Sequence, residues 1–193
     1  MNMVKTDEEL MMECRAESKE ALEELFQRYK KRILNFALRF LNNLADAEDI
    51  VSEVFYVITS KKGNYAPSAK FSTWIHTVAY HRCIDRIRSK KKFATNWFRK
   101  TEDDKYKEIE FVDTKPLADE TVHKKETEEI VKRAVGKLPL KYKEVIILRE
   151  YQDLQYEEIA KVLGCSKNKV KILLFRAREK LGKELSHISG EVK

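Results

Sequence analysis

Proline and glycine are scarce, with three and five in 193 residues. Chains rich in β-turns draw on both residues, so this scarcity argues against an all-β protein. Cys14, Cys83 and Cys165 stand far apart, odd in number and with no CxxC pair. Neither a disulfide framework nor a zinc site has a spacing to build on, and a reduced, cytoplasmic setting is expected. The four histidines (His76, His81, His123, His187) do not group with the cysteines, so no metal or cofactor is expected. No apolar run approaches the length of a membrane span, and MNMVKTDEEL lacks a signal-peptide core. Direct membrane insertion is therefore not expected.

What remains is helix-forming material. Leu, Ile, Glu, Lys and Ala dominate; 42% of residues are hydrophobic and 37% charged. The net charge of +7 is unevenly spread: −4 over residues 1–60, +10 over 61–100, −6 over 101–130 and +7 over 131–193. Two basic segments alternate with two acidic ones. A single nucleic-acid contact needs one basic patch; two point to separate contacts, with the acidic segments left for other partners or for solvating a linker.

The sharpest local signal is QYEEIAKVLGCSKNKVKILLFRAREKL, residues 155–181. Ile159, Ala160 and Leu163 share an apolar helical face. Gly164 permits the left-handed backbone that ends a helix, and Ser166 is a good N-cap for the next. Val170, Leu174, Ala177 and Leu181 give that second helix its own buried stripe. This is the pattern of a helix-turn-helix, whose second helix enters the major groove. From Lys167 to Lys183 there are seven basic residues against the single acid Glu179, a face suited to phosphate.

Elsewhere, a short helix is expected over 7–17 and a longer one from a Ser18 cap to about Leu41. Asn42-Asn43 breaks the chain before a third helix, about Ala45 to Thr59. Its outer stripe Asp46, Asp49 and Glu53, with Glu48 beside it, reads as a solvated face or as a docking surface for a basic partner. Residues 60–70 form a loop by composition, and 71–92 return to helix with Arg82, Arg86, Arg88, Lys90, Lys91 and Lys92 gathered toward its end. Aromatic residues among these cations suit an unstacked base. Periodicity is lost over 93–125. A further helix is expected over about 119–136, and Pro139 opens another through KYKEVIILREY.

Three stretches resemble the extracytoplasmic-function type of RNA polymerase sigma factor, in the sigma-70 family. AEDIVSEVF (Ala47–Phe55), KFSTWIHTVAYHRCIDRIR (Lys70–Arg88) and LPLKYKEVIILREYQDLQYEEIAKVLGCSKNKVKILLFRAREKL (Leu138–Leu181) are similar to that family's signatures, in its order and spacing. Ser52, His81, Gln155 and Lys169 depart from its usual Gln, Asn, Ser/Thr and Thr. The resemblance implies an all-α chain of two small helical domains joined by a flexible linker: a region 2-like domain over 1–95, a linker over 96–125 and a region 4-like helix-turn-helix domain over 126–193. It implies an alternative sigma factor of the stress or envelope-response kind, and no enzyme. Its partners would be core RNA polymerase, promoter DNA both as duplex and as melted nontemplate strand, and an anti-sigma factor.

Sites follow from the same resemblance. Polymerase would meet Asp46, Glu48, Asp49, Ser52, Glu53 and Phe55. The downstream, minus-ten element would meet Asn64, Tyr65 and Ser68 at a captured base, with Lys70, Trp74, His81, Arg82 and Arg86 on the strand and its phosphates. The upstream, minus-thirty-five element would meet Ser166, Lys167, Asn168, Lys169, Lys171, Phe175 and Arg176, with Arg178 and Lys180 on phosphate. Two rivals stay open. A helix-turn-helix regulator that binds duplex DNA without polymerase shares the Leu138–Leu181 pattern but does not need Ala47–Arg88. A metal-dependent nuclease would have to use Asp46, Glu48, Asp49 and Glu53.

Overall fold

The computed structural model describes residues 5–60, 65, 70–98 and 122–191, and among them every regular element is helical. The chain divides into two compact units, Met1–Asp113 and Thr114–Lys193.

The first unit holds four helices. Helix α1 (Asp7–Arg15) begins at a capping box: the Glu9 N–H donates to Thr6 Oγ1 at 3.2 Å, and the Thr6 N–H donates to Glu9 Oε2 at 2.8 Å. Ser18 accepts from the Ala21 N–H at 3.2 Å and starts α2 (Lys19–Leu41), as expected. Leu25, Tyr29, Ile33, Phe36 and Phe40 recur along one stripe of α2 and are buried. The Asn pair divides its labour. Asn42 takes the left-handed conformation (φ 48°) that closes α2, one that Asn tolerates better than most residues. Asn43 Oδ1 accepts the Asp46 N–H at 2.9 Å and opens α3 (Leu44–Thr59). Ala47, Ile50, Val51, Val54 and Ile58 of α3 face the core as the spacing predicts. Helix α4 (Phe71–Phe98) buries Phe71, Ile75, Ala79 and Cys83 against α2 and α3. It reaches past residue 92, and α5 begins at Val122, so parts of the expected linker are helical.

The second unit comprises α5 (Val122–Lys137), α6 (Leu140–Ile146), α7 (Tyr156–Leu163) and α8 (Lys167–Glu191). Pro139 occupies the N-cap of α6 rather than its first turn. Past Ile146 the backbone widens into a π-helical turn, Ile147–Tyr151. Sequence periodicity does not reveal this turn. Val145, Ile146, Ile147 and Leu148 are all buried. An unbroken apolar run has no 3.6-residue phase to read. Gly164 (φ 60°) ends α7, and the Cys165 N–H donates to the Ala160 carbonyl at 2.9 Å.

Candidate functional site

In the second unit the helix-turn-helix presents α8. Ser166 caps it, accepting the Lys169 N–H at 3.2 Å. Val170, Leu174 and Ala177 are buried, which turns the opposite face outward. That face carries Asn168, Ile172 and Phe175 at i, i+4 and i+7, flanked by exposed Lys171 and Arg176. Phe175 is 73% exposed and Ile172 54%. Ile172 was missed in the sequence, although its position opposite Val170 on the helix would have found it. Ser166 and Lys169 are exposed at the start of the helix. Lys167 pairs with Glu157, and Arg178 donates to Glu150 at 2.8 Å. The Lys180 ammonium lies 5.9 Å from the Tyr142 ring centroid. Arg178, expected on phosphate, is thus tied to its own domain, and that bond, partly offset by burial, raises its pKa.

Gln155, where Ser or Thr is usual, is served from within α7: its N–H donates to Glu158 Oε2 at 2.7 Å.

In the first unit the acidic stripe of α3 is not a free solvated face. Arg86 of α4 donates through Nη1 to Asp46 (2.9 Å) and Asp49 (3.1 Å), and through Nη2 to Glu53 (2.9 Å). Lys90 pairs with Asp46, and Arg82 Nε lies 3.6 Å from Glu53. The two helices run antiparallel, so three cations one turn apart on α4 meet three carboxylates on α3. Asp46 is only 8% exposed. Burial pushes its carboxyl pKa up, but hydrogen bonds from Lys90 and Arg86 outweigh that and hold it below the ordinary carboxylate range. Arg86, expected on the DNA strand, is thus corrected to a partner of α3. Three of the four carboxylates the nuclease reading would place on a metal, Asp46, Asp49 and Glu53, converge on its guanidinium. Among the described residues, no group of three or more His, Cys, Asp or Glu side chains is placed to hold a metal ion.

Glu48, Asp49 and Ser52 remain exposed, and the Ser52 hydroxyl donates to the Glu48 carbonyl at 3.1 Å. Phe55, expected on the polymerase surface, is instead buried edge-on against Phe26, with ring centroids 4.8 Å apart. Tyr56 stands out on the Asp49–Ser52 face at 63% exposed. A 3.6-residue reading that starts at Asp49 reaches Tyr56.

The third expected cluster is divided. Asn64 and Ser68 lie outside the described residues. Tyr65 is corrected from a base-capturing surface to a core residue: it is 2% exposed, its ring 5.9 Å from Phe71 and 5.6 Å from Trp74. Trp74 is half-buried beside it, while Lys70 and His81 are exposed. No described helix is long and apolar enough to cross a membrane.

Comparison with known proteins is consistent across the chain. The family described as Sigma-70 region 2 matches residues 25–93, and Sigma-70, region 4 matches residues 128–181. The RNA polymerase sigma factor YlaC of Bacillus subtilis is 30% identical over 175 residues, covering 87% of this chain and 94% of that protein. The ECF RNA polymerase sigma factor SigW of the same organism is 30% identical over 178 residues, covering 86% and 89%. Two solved structures share the fold at 20% identity. One is CnrH in complex with the cytosolic domain of CnrY, with a TM-score of 0.69 over 95% of this chain and 99% of that one. The other is the sigma factor RpoE with the anti-sigma factor NepR from Bartonella quintana, with a TM-score of 0.71 over 85% and 96%.

Proposed function

The chain belongs to the extracytoplasmic-function sigma factors of the sigma-70 family, subunits that bind core RNA polymerase and direct promoter-specific initiation, and from that premise we propose how its surfaces divide the work. The exposed edge of α3, with Glu48, Asp49, Ser52, Glu53 and Tyr56, docks on a basic surface of core polymerase. An aromatic ring at the end of an acidic stripe supplies contact area where charge alone gives mainly steering. The segment from Asn64 to Lys70, with Trp74, His81 and Arg82, takes the melted nontemplate strand of the minus-ten element.

Helix α8 reads the minus-thirty-five element as duplex. Asn168 and Arg176 suit hydrogen-bonding base edges, Lys171 suits phosphate or guanine, and Ile172 with Phe175 suits thymine methyl groups. Ser166, Lys167 and Lys169 approach the backbone at the start of the helix. An anti-sigma factor is the expected regulator, and the setting is the cytoplasm. The protein does no chemistry of its own; polymerase supplies catalysis.

The observation that carries this reading is the apolar and basic outward face of α8, in the unit matched to region 4, alongside an acidic edge on α3 in the unit matched to region 2. A regulator that binds duplex DNA alone leaves the acidic edge without a role. The test is reconstitution. Mixed with core polymerase, the protein should direct transcripts from discrete start sites that core alone does not use. A protein that binds the same DNA but never joins core polymerase would be the regulator instead.

A further inference from the structure

Helix α1 lies outside residues 25–93, the part matched to region 2, yet it makes two long-range bonds into it, at Tyr65 and at the start of α4. The first N–H groups of a helix have no partner within it. At α4 the Phe71 N–H is met from far along the chain, donating to Glu8 Oε1 at 2.8 Å. Seven residues after Glu8, Arg15 donates through Nη2 to the Tyr65 carbonyl at 2.7 Å. Both bonds involve a charged partner and are correspondingly strong. Helix α1 is itself firmly seated. Leu10 and Met11 are buried, and Asp7 accepts from the Tyr29 hydroxyl and from Arg28, each at 2.5 Å. The Tyr65 ring in turn lies against Phe71 and Trp74.

We infer that Glu8 and Arg15 are positioning residues for promoter opening: by fixing the buried Tyr65 and the first turn of α4 they hold Lys70 and Trp74 where the melted strand is received. This rests on the proposed role of that end of the unit. A flipped base costs unstacking energy. A receiving surface that is already ordered avoids the further cost of ordering itself on binding. Neither side chain needs to touch DNA for this: Glu8 acts through the Phe71 amide and Arg15 through the Tyr65 carbonyl.

The experiment compares Glu8→Ala and Arg15→Ala with Glu8→Gln and Arg15→Lys, each as the full chain with core polymerase. Open complexes are read by permanganate footprinting on duplex promoter and on a template with a preformed bubble over the minus-ten element. Losing one hydrogen bond to a charged group should lower opening of the duplex about tenfold in either Ala variant. The bubble template should restore most of it. Core affinity and protection of the minus-thirty-five element should stay at the wild-type level. Gln keeps an acceptor for Phe71 and Lys keeps a donor for Tyr65, so both should open duplex promoter nearly as wild type does.

Ala variants that open duplex normally overturn the inference. So do Ala variants that lose core binding in step with opening, which marks a purely structural role, and conservative variants as deficient as the Ala ones. Should Glu8→Ala fail to fold, Arg15→Ala, judged on the same two templates, decides alone. Wild-type protein that never opens the promoter with core polymerase overturns the proposed function instead.

Discussion

Helices α4 and α8 are both basic, and they spend their charge in opposite ways. On α4, Arg82, Arg86 and Lys90 point toward carboxylates of α3. On α8, Lys171 and Arg176 point outward beside exposed Ile172 and Phe175. Segment charge is therefore a poor guide to a nucleic-acid face. A cation whose neighbours already neutralise it must give up those bonds before it can meet a phosphate. On α8 the ion pairs lie at the flanks, Lys167 with Glu157 and Arg178 with Glu150, and the exposed Ile172 and Phe175 between them add shape that a phosphate-only surface would not need.

The largest expected effect falls on the acidic side of the α3–α4 ladder. Asp49→Lys with Glu53→Lys would set like charges against a basic polymerase surface, costing several kcal/mol of docking. Core affinity, measured with helicity checked by circular dichroism, should collapse; unchanged affinity would mean that α3 docks elsewhere. Next come the two arginines themselves. Arg176→Ala should cost about 1–3 kcal/mol of discrimination at one base pair of the minus-thirty-five element, read by competition with single-site promoter variants. Arg86→Ala should leave that discrimination and the salt dependence of promoter binding alone. It should instead lower the stability of the first unit by about 1–3 kcal/mol, because Asp46 loses a partner while mostly buried. If both substitutions weaken DNA binding alike, the contrast between the helices is wrong.

Smaller still is the methyl readout. Replacing thymine by deoxyuridine within the minus-thirty-five element removes only a methyl group, worth about 0.8 kcal/mol if buried. Wild-type binding should fall about fourfold at the sensitive positions. Phe175→Ala or Ile172→Ala should show no such difference at the position each one covers. The least effect is on pH. The Asp46 carboxyl pKa is lowered on folding, so its contribution to stability is fully present above its unfolded value of about 3.9. That contribution is lost as pH falls through the lower folded value. Acid unfolding of Asp46→Asn should therefore lack a part of the pH dependence that wild type shows below about pH 4.

Much of the fold was legible because its signals are local. Ser18, Asn42, Asn43, Gly164 and Ser166 sit where caps and breaks need them, and the stripes of α2, α3 and α8 follow from 3.6-residue spacing. What each candidate residue bonds was legible only where the partner lies nearby in the chain. Arg86 looked like a strand contact because its carboxylates lie 33 to 40 residues earlier in the chain. Tyr65 looked like an exposed loop aromatic because nothing nearby announces the Phe71 and Trp74 rings, or Arg15 fifty residues before it, closing around it. Phe55 lay inside a family signature, which marks a position without saying whether its ring faces in or out. The π-helical turn was hidden because a run of apolar residues has no phase to read.

That turn bears on how the module could be transplanted between relatives. The Leu154 N–H donates to the Leu148 carbonyl at 3.2 Å, Arg149 Nη1 donates to the Leu154 carbonyl at 3.0 Å, and Glu150 receives Arg178 from α8. The loop entering α7 is thus stitched to the residues that precede it. A chimera spliced at Gln155, the apparent start of the helix-turn-helix, would cut through these bonds and strand Arg178 without its acid. Splicing ahead of Ile147 carries the whole turn and the stitched loop along, and a donor and host that differ in the length of this turn will fit only at the earlier seam.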